Sequence, residues 1–137
     1  MPRFAKILLL LTVTAGLAAP AALAGAPHQV GVCTAVQSGN TLTINCKEAG
    51  LGDETQILTT TTATALCINN GGNHPRAVNK ASVSSTDTTP VQNGKANIMI
   101  TLTATFSPDC SPPMTVQFTD VLVFDNTNGY YLEPFSP

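Results

Sequence analysis

The sequence predicts an all-β domain: an immunoglobulin-like antiparallel β-sandwich of about seven strands with two disulfides. Three observations carry this expectation. Apolar and polar residues alternate in short runs after Ala24, helical periodicity is missing from the same stretch, and four cysteines are present, enough for two bridges. Only 10% of the 137 residues are charged. An ordinary domain has about 25%, so the composition excludes a coiled coil, a basic nucleic-acid binder and a charge-rich disordered tail.

The first 24 residues read as a segment outside that fold. Arg3 and Lys6 give a positive start, and Ile7 to Leu17 is an uncharged apolar run. Pro20 and the small residues ending in Ala22-Leu23-Ala24 complete the layout of a secretory signal peptide. A membrane span needs about 20 apolar residues, more than this run supplies. The predicted organisation is therefore a signal peptide, 1–24, followed by a single secreted domain, 25–137. The mature chain keeps Lys47, Arg76, Lys80 and Lys95 against eight acidic residues, a net charge of −4. That balance repels phosphate backbones and anionic lipid, so nucleic acid and membrane insertion after cleavage are not expected. The expected product is a free extracellular monomer without an N-glycosylation sequon.

Each strand has its own justification. Gly39-Asn40 reads as a two-residue turn that pairs Ser38 with Thr41 and Gln37 with Leu42. Stepping outward, Cys33 falls opposite Cys46 at a non-hydrogen-bonded position, where Cα atoms approach closely enough for a bridge. That pairing leaves Cys67 with Cys110, one of three connectivities open to four cysteines. Gln56 to Ile68 is a long strand of Thr and Ala, and a weaker polar strand is expected around Ala81 to Thr89. Asn93-Gly94 turns into Asn97 to Phe106, where Ile98, Ile100, Leu102, Ala104 and Phe106 share a face. In Thr115 to Phe124, Val116, Phe118, Leu122 and Phe124 fall on one face, which also points Asp120 inward. A bulge near Thr119-Asp120 is the favoured resolution. Asn128-Gly129 then turns into a last strand, Tyr130 to Phe135, with Pro134 near its end.

Three stretches resemble a group of small, largely uncharacterised secreted proteins of filamentous actinobacteria. Cys67-Ile68-Asn69-Asn70-Gly71-Gly72-Asn73-His74-Pro75-Arg76-Ala77-Val78-Asn79-Lys80 is similar to their Cys-x-Asn-x-Gly-Gly-x-x-Pro-x-x-x-Asn-Lys loop. The connection Lys47 to Asp53 and the closing hairpin Val116 to Gly129 are the other two. The resemblance implies secretion and a β-sandwich with Cys67 and Cys110 paired. It brings no activity.

The candidate site is the loop Asn69 to Lys80. Gly71-Gly72 permits positive φ, Pro75 stiffens the exit, and His74, Arg76 and Lys80 form the basic cluster of an acidic protein. Asn73, His74, Arg76 and Lys80 are the binding candidates, against the plainer possibility of a crossover shaped by backbone geometry. No catalytic residues are assigned. There is no G-x-S-x-G elbow, and the acids Asp53, Glu54, Asp120 and Asp125 stand near turns where carboxylates are ordinarily solvated. The cysteines lack metal-ligand spacing, and Asp120, Asp125 and Asn126 lack the Asp-x-Asp-x-Asp-Gly pattern, so neither metal nor cofactor is expected. The function expected is non-enzymatic: a binding or extracellular structural module whose partner is an extracellular protein or envelope component. A small enzyme inhibitor or hydrolase using the Asn69–Lys80 loop is the alternative.

Overall fold

The computed structural model describes residues 25–69 and 79–133, so the proposed signal segment and Asn73, His74 and Arg76 lie outside the described residues. The strands are β1 (His28–Gln29), β2 (Thr34–Ser38), β3 (Thr41–Ala49), β4 (Gln56–Ile68), β5 (Lys80–Gln92), β6 (Lys95–Thr103), β7 (Thr115–Asp125) and β8 (Tyr130–Leu132). All pairings are antiparallel, in the order β1-β3-β6-β5-β4-β7-β8 with β2 also on β3.

The hairpin register is the one the turn dictates, with Ser38 opposite Thr41 and Thr34 opposite Asn45. Cys33 and Cys46 are bridged at a Cα separation of 4.4 Å, the spacing of a non-hydrogen-bonded antiparallel pair. Cys67–Cys110 forms the second bridge and spans 43 residues of sequence. Two disulfides are compatible with an extracellular location. Upstream of Cys33 the edge is interrupted. Gln29 faces Glu48 while Thr34 faces Asn45, so two residues between them are unmatched, and Gly31 sits there at φ 70°. The first strand is thereby split into β1 and β2.

β5 is the seam of the sheet. It pairs with β4 from Lys80 to Pro90 but with β6 only through Val91 and Gln92. Asn93 and Gly94 both take positive φ, 52° and 69°, which is the backbone of a tight type I′ turn. The two strands then separate into different ladders, one of β1, β2, β3 and β6 and one of β5, β4, β7 and β8. Hydrogen bonds stitch the opposite side. The Gln29 backbone N–H donates to Tyr130 Oη (3.2 Å), Glu133 N–H donates to Gln29 Oε1, and Gln37 Nε2 donates to Val116 O (2.6 Å). The sheet is therefore barrel-like.

The bulge in β7 is present. Thr62 faces Leu122 and Thr64 faces Thr119, so Asp120 and Val121 share one partner position, and Asp120 takes φ 52°. The extra residue reverses the side-chain phase. Val116 and Phe118 point toward the core before it, and Val121, Val123 and Asp125 after it. Leu122 and Phe124 thereby leave the face of Val116 and Phe118, as the favoured bulge requires. Leu122 is exposed, and Phe124 stacks against Tyr131 with ring centroids 4.6 Å apart. The core is built on Ile44, Ile57, Ile98, Ile100, Leu102, Val123 and Leu132, all essentially inaccessible. Each such side chain contributes about 1.5–3 kcal/mol by leaving water.

Candidate functional site

The Asn69–Lys80 loop leaves and rejoins the sheet at one end of the molecule. β4 ends with Ile68 opposite Thr115, and β5 begins with exposed Lys80 opposite Leu66. The Cys67–Cys110 bridge lies between these anchors and the Pro-rich segment before β7, and Met114 Sδ approaches Cys67 Sγ to 3.7 Å. Of the four binding candidates, Lys80 is therefore placed beside the bridge.

A cleft of 630 Å³ opens at the same end. Its walls are the β2–β3 turn with Gln37 and Asn40, the segment after β6 with Thr105 and Phe106, and the bridge segment with Asp109 and Met114. Val116, at the start of β7, closes it. Hydrogen bonds fix these walls. Gln37 Nε2 reaches both Gly39 O (3.0 Å) and Val116 O, while Asn40 and Ala104 exchange two bonds of 3.0 and 2.8 Å. Phe106 and Val116 pack on the core and give the cleft an apolar floor, while Gln37, Asn40, Thr105 and Asp109 give it a polar rim. This combination suits binding of a mixed apolar and polar group. The described lining offers neither a histidine nor a free thiol. Sequence reasoning found the loop but missed the cleft, because the hairpin tip is joined to the start of β7 by a bond between residues distant in sequence, Gln37 and Val116.

The acids at the other end correct a second expectation. Asp125, expected to be solvated, is fully buried. Its Oδ1 accepts the Thr127 N–H (2.8 Å) and the Asn128 N–H (3.3 Å), and its Oδ2 accepts Asn128 Nδ2 (2.7 Å), which shapes the β7–β8 turn. Asn128 Nδ2 also donates to Glu54 Oε2 (3.1 Å), and Glu54 is half-buried. Asp120 instead stays exposed at the bulge with Thr119, and Asn126 Nδ2 bonds Leu58 O and Thr60 Oγ1. The trio Asp120, Asp125 and Asn126 is thus dispersed over separate partners. Among the described residues no three His, Cys, Asp or Glu side chains are grouped to hold a metal ion.

Glu48 is the residue the sequence reading passed over. It continues the inward phase of Leu42, Ile44 and Cys46 along β3 and is 1% exposed. Burial first, then the charge of Asp125, a hydrogen bond to Asp125 and the charge of Glu54 push its pKa up to about 7. Among the described residues neither Glu48 oxygen has a hydrogen-bond partner. Two carboxylates can only accept, so a bond between Glu48 and Asp125 can form only when one of the two carries a proton to donate.

Comparison with known families, with curated proteins and with solved structures finds no match for this chain.

Proposed function

We propose that the chain is a secreted, non-enzymatic recognition module whose two ladders stack as an immunoglobulin-like sandwich, with secretion and the sandwich also being what its resemblance to small exported actinobacterial proteins implies. The Asn69–Lys80 loop and the adjoining cleft form its binding end. The observation that carries this reading is a juxtaposition: both loop anchors, the Cys67–Cys110 bridge and the 630 Å³ cleft lie at one end of a rigid scaffold. Arg76 and Lys80 would supply positive charge, His74 and Asn73 hydrogen-bonding groups, and Phe106 with Val116 the apolar floor. The partner is an extracellular protein or envelope component that offers an acidic or carbonyl-rich group beside an apolar one.

The test is retention. Immobilised mature protein, residues 25–137, is exposed to envelope and medium fractions of the producing cells, alongside the double variant His74→Ala/Arg76→Ala and the single variant Phe106→Ala. Retained material should fall at least about tenfold in both variants, the equivalent of about 1.4 kcal/mol. Undiminished retention by both variants makes the loop a structural crossover. Chemical turnover of the retained material would instead favour the hydrolase alternative.

A further inference from the structure

The buried acid pair lies beneath the clasp that closes the other end of the barrel. Glu48 stands opposite Gln29 of β1, and Gln29 is the residue that bonds both Tyr130 and Glu133. Asp125 begins the turn that leads into β8 and faces Tyr130 across the β7–β8 ladder. The chain before β1 rests on the loop after β3 so closely that a Cβ at Gly25 would overlap Gly50, and one at Gly50 would overlap Ala26. Both edge strands of the clasp are short, and both converge on the Glu48–Asp125 pair.

We infer that the Glu48–Asp125 pair is a proton-operated latch, which holds β1 and β8 closed when Glu48 is protonated and loosens them when it ionises. The surroundings decide between a proton and a metal ion as the natural occupant. Asp125 already receives three N–H donors, and Glu54 shares Asn128 with it. On the remaining sides stand Ala96 of β6, paired with Glu48, and β1, where His28 is exposed with Nδ1 2.9 Å from Ala26 O. The lysines flanking the site, Lys47 and Lys95, are exposed. Among the described residues no lysine, arginine or histidine is thus placed inward at Glu48, and a single proton can serve the pair without displacing the Asn128 bonds. Ionisation of Glu48 adds a buried negative charge beside Asp125 and near the half-buried Glu54, and leaves no proton that the two acids could share.

The sign follows from the raised pKa. The latch contributes fully below the ordinary carboxyl value of 4.5, and its contribution is lost as pH rises through about 7. Hydrogen exchange of the mature protein at pH 5 and pH 8, corrected for the intrinsic rates, reads this directly. Protection of residues 26–30 and 126–132 should drop at least about tenfold at pH 8, while β3 and β6 change little. Glu48→Gln mimics the protonated acid and should abolish that drop. Independently of any variant, the Glu48 carboxyl carbon should titrate near pH 7 by NMR. A midpoint between 4 and 5, or a pH-dependent loosening that survives in Glu48→Gln, overturns the inference. So does closure of wild type at pH 8 by calcium that is absent in Glu48→Gln, since the pair would then be a cation site.

Discussion

The two ladders share one backbone pattern and differ in what they bury. On the inner face of β3 and β6 stand Leu42, Ile44, Cys46, Ile98, Ile100 and Leu102, none more than 5% exposed. The corresponding face of β4 and β5 offers Ile57, Thr59, Thr61, Ala63 and Ala65, then Val83, Ser85, Asp87 and Thr89. Thr59 lies between Asp87 on one side and Asp125 on the other. Alternation alone makes a strand, but only aliphatic bulk makes a wall that expels water strongly. The molecule thus has one wall that supplies stability and a second, smaller and more polar, that leaves space for polar residues. Asp87 also matters at the edge. Between Lys80 and Pro90 the outer side of β5 is unpaired among the described residues, and a charge on its inward phase discourages another strand from adding there.

Removing bulk from the aliphatic wall should have the largest effect. Ile100→Ala deletes a side chain that is 1% exposed, and unfolding in urea should show a loss of about 2–5 kcal/mol. On the polar wall the same experiment should reverse sign. Thr61 is fully buried and its hydroxyl has no hydrogen-bond partner, so Thr61→Val keeps the branched shape and removes an unsatisfied group. Its expected effect is a gain of up to about 1 kcal/mol, read as a raised urea midpoint with an unchanged slope. A loss of about 2 kcal/mol or more in Thr61→Val would mean that the hydroxyl is hydrogen-bonded in the folded state, and the polar wall would then not carry the unsatisfied group that sets it apart.

How much was legible in the sequence follows the same division. In β6 the apolar phase of Ile98, Ile100 and Leu102 specifies strand, face and burial together, although the strand ends at Thr103, short of the expected Phe106, and the Gly39-Asn40 turn specifies register well enough to place Cys33 on Cys46. The bulge at Asp120 was legible as a conflict between an inward phase and a charged side chain. Glu48 carried the same kind of signal and was read as part of a connection, because Lys47-Glu48 looks polar when the phase from Leu42 is not followed through. Asp125 was misjudged because the donors that satisfy it are the backbone and Asn128 of its own turn, which sequence spacing does not reveal. The interruption at Gly31 and the divergence of β5 from β6 depend on pairings distant along the chain, and so does the cleft beside Phe106.

Native-state hydrogen exchange across denaturant concentrations tests the division of labour most directly. The account predicts that the amides paired between β3 and β6 exchange only through global unfolding, whereas those joining β5 to β4 near the Lys80 anchor open at lower free energy. Equal protection of both ladders, or a β5 that outlasts β6, would contradict it.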